Sequence, residues 1–347
     1  MPSVTIDAGV LAAPPVDGSA EDAHRYVETL LDWSRLLHKP WVAIYMSEKA
    51  SETLFDDGLF PLRDQLKCMF TANGIVEYDV NTVAQVVDRL LQLTPSFETF
   101  FSIRDVVAEG LSTEPDILQI CSGTRLQSDL ARCIVLIAIL RQHCREPIRD
   151  HSLILRRAPG RSIRVRALIA SLDHQRTDLS ATPVPPEYFE GDVMVCDEFS
   201  GLVECLDEVA ILLKATDEVG IKTAIQIAIH KARLAHRLAL EWDDIPSYSI
   251  GHEFRLSFQG IHATQQLAAK LLRAIVETLE QTAMAATHWL RIRPGGDGPQ
   301  RMRRIDQAKA WRRDIDHEHH LHYWICPDGS VEIASVSYPH DDFAIPE

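Results

Sequence analysis

The segment SVTIDAGVLAAPP, residues 3–15, decides the reading of the first half of this chain. A short β-branched run from Val4 to Ile6 ends in Asp7 and Gly9 and is stopped by Pro14 and Pro15, the pattern of a buried strand and its exit loop. An acid at the carboxyl end of a first buried strand sits where side chains project into the crevice above an open α/β sheet. Working outward, residues 19–39 predict a helix with Ser19 as N-cap, acids in the first turn, and Tyr26, Leu30, Leu31, Leu36 and Leu37 on one apolar stripe. WVAIYMS (41–47) predicts a second strand, and EKASETLFDDG (48–58) a short helix closed by glycine. Helical spacing continues through residues 59–97, and QSDLARCIVLIAILRQHC (127–144) is the most apolar helix of the first half, which must be buried.

The arginine-bearing PIRDHSLILRRAPGR (147–161) reads as a strand or loop, and the domain boundary is set there, giving domains 1–158 and 159–347. The second domain opens with a polar, proline-bearing connection at 176–192 and continues with helices at 202–213 and 217–240. HEFRLSF (252–258) alternates like a strand, and a long amphipathic helix follows within 261–292. After the glycine-rich RPGGDGPQ, the tail predicts a meander of AWRRDI, LHYWIC and SVEIASVS, with PDG (327–329) as the tight turn. The expected class is therefore an α/β first domain, a parallel sheet flanked by helices, followed by a mainly helical α+β domain ending in a small β-meander.

Composition bounds the function. At 347 residues the chain exceeds one ordinary core, and 46% apolar with 24% charged residues is globular rather than disordered. Seven scattered cysteines with no Cys-x-x-Cys argue for a reducing compartment and against a zinc ribbon or disulfide framework. The start MPSVTIDAGV lacks the features of a secretory signal, and no apolar run reaches membrane-spanning length, so a cytoplasmic protein without a membrane partner is expected. A net charge of −15 spread evenly would oppose polyanion binding, but it is uneven. Residues 141–176 hold nine arginines against three acids, and residues 291–313 hold eight Lys/Arg against two. Arg156, Arg157 and Arg161 in the first run, and Arg312 and Arg313 in the second, are the candidate contacts to nucleic acid or a partner.

Hard oxygen ligands for a divalent ion are available in the first half. Asp7 closes the first strand, Glu48 opens EKASETL, Asp129 opens the apolar helix, and Asp150 follows REPIRD. Three of them also have a plain structural role open to them: a turn or N-cap for Asp7 and Asp129, and first-turn charge for Glu48.

This order of acids resembles a PIN-like nuclease domain over about residues 3–158. The resemblance implies that Asp7, Glu48, Asp129 and Asp150 hold Mg²⁺ or Mn²⁺ for metal-dependent hydrolysis of phosphodiesters in RNA or DNA. Two features depart from the pattern: the stretch 60–128 is long, and Arg149 stands where a Ser or Thr usually precedes the fourth acid. A nuclease fused to a second domain is the organisation of a microbial toxin or antiviral defence effector, an expectation at the level of fold alone. The competing expectation is a non-enzymatic subunit that binds nucleic acid, protein or a second copy of itself.

The tail carries four histidines between His317 and His322. Strand alternation places His320 and His322 on one face and His317 and His319 on the other, so all four cannot meet one ion. A zinc site from His320, His322 and the HDD at 340–342 is one option. The favoured expectation is an edge that contacts a polyanion or partner through Arg312, Arg313, His320, His322 and Trp324.

Overall fold

A computed structural model of the chain describes residues 2–120, 123–143, 151–176, 184–238, 241–292, 298–337 and 345–347. They form two compact units, Met1–Leu206 and Asp207–Glu347. The first is built on a six-stranded mixed sheet. Strand β1 (Ser3–Ile6) pairs in parallel with β2 (Ala43–Met46) on one side and with β4 (His151–Ile154) on the other. Strand β6 (Glu187–Cys196) extends this group in parallel with β4, and β5 (Ser162–His174) and β3 (Ile103–Glu114) add antiparallel strands, giving the order β2-β1-β4-β6-β5-β3.

This topology moves the division between units from 158/159 to Leu206/Asp207. Strand β6 returns to β4, and β5 pairs with β6, so residues beyond 158 complete the first sheet. EYFEGD, expected within a polar connection, is part of β6.

The helices follow their local signals with one informative shift. Helix α1 (Ala8–Leu11) turns directly out of β1, and α2 (Ala20–Leu36) starts at Ser19, whose Oγ accepts from Asp22 N at 3.0 Å. Its buried stripe is Tyr26, Val27, Leu30, Trp33 and Leu36, while Leu31 and Leu37 are only partly covered. Helices α3 (Ala50–Asp56), α4 (Arg63–Asn73), α5 (Val80–Leu93) and α6 (Phe97–Phe101) lead to the long helix α7 (Thr124–His143). Every side chain from Cys133 to Leu140 is buried, consistent with a helix laid on the sheet and covered on all sides. Helix α7 begins before Asp129, so Asp129 is an interior helical residue and not its N-cap. The capping role falls to Asp57, whose carboxylate accepts from Arg125 N (3.2 Å) and Leu126 N (2.8 Å).

In the second unit, α8 (Phe199–Cys205) having closed the first, α9 (Glu208–Lys214), α10 (Glu218–Ala235), α11 (Phe254–Gly260) and α12 (Gln265–Leu279) pack with a five-stranded sheet. Its order is β7-β11-β10-β9-β8, with β7 (Tyr248–Ile250), β8 (Thr287–Trp289), β9 (Lys309–Asp314), β10 (His320–Ile325) and β11 (Val331–Ser337). The expected meander β9-β10-β11 is present, turned at Gly329 with φ 86°, a left-handed backbone that glycine adopts without a Cβ penalty. HEFRLSF is not a strand. Phe254 and Phe258, one helical turn apart, are both buried in the unit's core, and that spacing builds α11. No described helix is long and apolar enough to cross a membrane.

A polar cluster sits inside the first unit. His151 on β4 is fully buried, with Nδ1 2.8 Å from Ser3 Oγ and Nε2 2.8 Å from Thr5 Oγ1, and it lies among Tyr45, Phe97 and Phe101. Burial, with a smaller effect of Arg141, pushes its pKa down to about 3. Between about 6.5 and 3 the unfolded chain therefore binds the proton and the native state does not, so stability falls as pH falls through that window. We expect His151→Phe to cost about 1–3 kcal/mol at pH 7, because two buried hydroxyls lose their partner. Urea unfolding of both proteins across pH 7 to 4 should show this gap narrowing on acidification; a constant gap would contradict a buried neutral imidazole.

Candidate functional site

The carboxyl ends of β1 and β2 lie side by side, since Ile6 is in register with Met46, and the residues that follow them are Asp7 and Ser47. Both are buried. Asp7 N donates to Ile154 O at 2.9 Å, holding the end of β1 against that of β4. Its side chain folds back to cap α1, Oδ2 accepting from Gly9 N at 2.9 Å. A Cβ at position 9 would stand 2.6 Å from that oxygen, so Gly9 is what permits the cap.

Asp129 reaches this edge from α7. Its Oδ1 accepts from Ser47 Oγ at 2.8 Å and from Arg132 Nη2 at 3.0 Å. The same Arg132 nitrogen donates to Ser47 Oγ at 2.9 Å and to Glu98 Oε1, and Glu98 Oε2 accepts from Glu48 N (2.9 Å) and Ser96 Oγ (3.1 Å). All three charged side chains are almost wholly buried, at 8% for Arg132, 4% for Asp129 and 1% for Glu98. Breaking such a pair from one side leaves an uncompensated buried charge, at about 3–5 kcal/mol.

Two atoms in this network are left over. Asp129 Oδ2 and Arg132 Nε are buried with no hydrogen-bond partner among the described residues. Asp129 and Arg132 both line an open cleft of about 290 Å³. Its remaining walls are Lys49, Glu52, Thr53 and Asp56 from the α3 segment, with Arg125 and Ser128 from α7. Asp7 is not among the lining side chains, but it feels Asp129: burial first, then the negative charge of Asp129, push its pKa up to about 7.

The expected acids are therefore brought together in part. Asp7 and Asp129 are electrostatic neighbours at the carboxyl edge of parallel strands. The Glu48 side chain is exposed and only its backbone N–H joins the network; the buried acid is Glu98, presented by α6 and capped into place through Ser96. Asp150 lies outside the described residues. Ser47, Glu98 and Arg132 had no single-position signal, though Arg132 one helical turn after Asp129 is a spacing at which acid and base pair. Among the described residues no group of three or more His, Cys, Asp or Glu is disposed to hold a metal. Mg²⁺ keeps several waters and often takes only one or two carboxylate ligands, so Asp7 and Asp129 are the residues that could hold one.

Of the expected contacts, Arg157 and Arg161 are exposed in ion pairs with Asp22 (3.0 Å) and Glu204 (2.7 Å), and Arg156 is half-buried just past β4. The tail is a correction. Strand β10 is the central strand of its sheet, not an edge, and Arg313, His320, His322 and Trp324 are buried while Arg312 is half-buried. Both faces are covered. Leu321 and Tyr323 pack with α11 and α12, while Trp324 packs with Leu290 and Ile345 and donates to Pro346 O. Arg313 binds Glu277 and the carbonyls of Thr282 and Ala283 beyond α12, and His320 Nδ1 lies 3.1 Å from Asp314. These four side chains build the sheet and offer no stacking surface. The HDD at 340–342 lies outside the described residues.

Comparison with models of known families, with curated proteins and with solved structures finds no match to this chain.

The Asp7 carboxyl gives the site a pH signature. Between its ordinary value of 3.8 and about 7 the native state holds the extra proton, so stability falls as pH rises, and the cost is complete above about 7. Asparagine keeps the cap and removes the charge. We expect Asp7→Asn to be more stable than the parent at pH 8 by on the order of 2–4 kcal/mol in denaturant unfolding, with the difference gone near pH 4. Equal stability at pH 8 would mean that Asp7 is not an unfavourably buried carboxylate.

Proposed function

We propose that the first unit is a metal-dependent phosphodiesterase acting on nucleic acid at the Asp129 cleft. One observation carries the reading: Asp129, a residue that lines the cleft, has a buried carboxylate oxygen, Oδ2, with no donor, and a second buried carboxyl, Asp7, neighbours it at the carboxyl edge of parallel strands. Such a pair is unfavourable unless a proton or a cation lies between the charges. It recurs in proteins where function outweighs stability.

Asp7 and Asp129 would hold one Mg²⁺ or Mn²⁺ ion, which when bound supplies activation of water and neutralisation of phosphoryl charge. The rest falls to the chain's own groups. Asp7 is protonated below about pH 7 and would serve as a ligand only as the carboxylate, so binding of the ion would strengthen with pH. Ser47 and Arg132 fix Asp129 in one orientation through Oδ1. Lys49 and Arg125 are exposed cations on the cleft wall, suited to the phosphates of an incoming strand against the charge of Glu52 and Asp56. Arg157 and Arg161, beyond the end of β4, would extend that contact, their exposed ion pairs being weak enough to exchange. A role as a toxin or defence effector belongs to this same proposal and rests on fold-level resemblance.

The alternative of a non-enzymatic subunit draws on Glu98, whose two carboxylate oxygens find their partners within the chain without any ligand. Cleavage assays on single-stranded RNA and DNA decide between them. With Mg²⁺ or Mn²⁺ the parent should cleave, chelator should abolish cleavage, and Asp129→Asn and Asp7→Asn should each reduce it by at least about 100-fold. Cleavage by both variants at the parental rate would remove the metal-site reading.

A further inference from the structure

Hydrolysis by paired metals places two ions about 3.5–4 Å apart across a shared carboxylate. Asp129 has the two sides that such a carboxylate needs, but they are differently furnished. Oδ2 has no hydrogen-bond partner, whereas Oδ1 already faces a cation, Arg132. A single nitrogen of that guanidinium, Nη2, meets Glu98 Oε1, Ser47 Oγ at 2.9 Å and Asp129 Oδ1 at 3.0 Å. Three oxygens from three separate elements converging on one positive atom are the surroundings of an oxygen-ligated cation. Nη1 donates to Arg104 O at 3.3 Å, but Nε is buried and has no partner, on a side chain that lines the cleft.

We propose that Arg132 stands in for the second metal ion of a paired-metal site, so that this chain binds a single divalent ion on the Oδ2 side of Asp129. The inference rests on the metal-dependent reading of the same cleft. In it, Arg132 holds Asp129 and Glu98 as a second ion would. Arginine suits this position because it stays charged when buried and its planar fork serves several carboxylate oxygens at once. The Glu98 carboxylate, engaged by Arg132, Ser96 and the backbone of Glu48, has no role as a ligand while Arg132 is present.

The test is the number of ions bound by the full chain. Metal-free protein is titrated with Mn²⁺ at pH 8 by calorimetry, and the bound ion is followed by electron paramagnetic resonance. The parent should bind one Mn²⁺ with the spectrum of an isolated ion. Folded Arg132→Ala should bind two, with a spin-coupled signal, because Glu98, Ser47 and Asp129 Oδ1 are released together. Arg132→Lys, which retains the charge, should stay at one. Two coupled ions in the parent would overturn the inference while leaving the metal-dependent reading intact, and this readout stands even where Arg132→Ala fails to fold. One ion in folded Arg132→Ala would also overturn it. No ion in the parent would remove the metal-dependent reading and the role of Arg132 with it.

Discussion

Burial of the Asp129 carboxylate is the constraint on which the first unit turns. It sits on a helix whose next residues, Cys133 to Leu140, are all buried against the sheet, so the carboxylate cannot withdraw to water without pulling that core apart. A charge held this way must be met inside the protein. The chain meets one of its oxygens with an arginine one helical turn on and a serine from the end of β2, and leaves the other without a donor. Glu98 then follows, because Arg132 brought in to serve Asp129 is itself nearly buried and is balanced by a second acid.

The sheet supplies the meeting point. Parallel pairing of β1 with β2 and β4 brings three strand ends to one edge, from which Asp7 and Ser47 emerge in register. Helix α7 is aimed there by a cap that its own sequence does not contain, the Asp57 carboxylate at the end of α3 closing its first turn. The cleft thus lies between two elements that are tied at one end by a hydrogen-bonded cap and at the other by the Ser47–Asp129–Arg132 network. A site mounted on such rigid supports holds its geometry better than one carried on loops.

Much of this was legible where the information is local. The Ser19 cap, strands β1 and β2, the buried helix α7 and the Gly329 hairpin each rest on neighbouring residues, and so does the special position of Asp7. What escaped depends on contacts far along the chain. Ser47, Glu98 and Arg132 are separated by fifty-one and thirty-four positions, and no spacing rule joins them. Naming Glu48 put the acid just after the right strand, but the neighbourhood is completed by Glu98 from α6, through the Glu48 amide. The histidine tail misled for a related reason. The segment was read as an edge facing a polyanion or partner, whereas α11 and α12 cover one side of β10 and the Trp324 cluster the other, so polar side chains on a central strand are enclosed.

Two buried ionisable groups in this chain, a histidine and an aspartate, show how differently the same expense is handled. His151 is taken out of water but bonded on both ring nitrogens, so it simply stays neutral and holds β1 to β4. Asp7 is taken out of water beside another carboxylate, and its backbone bonds from Gly9 and Ala8 do not offset the burial and that neighbour. The first is a solved packing problem, and its substitution removes something the fold uses. The second is an unsolved one that the fold tolerates, because an asparagine would cap α1 equally well and carry no charge. A residue that weakens its own protein while a neutral isostere would serve the local structure is better explained by what it can bind than by what it supports. That asymmetry, more than the presence of acids as such, is what separates the Asp7–Asp129 edge from the many other carboxylates of a chain carrying fifty of them.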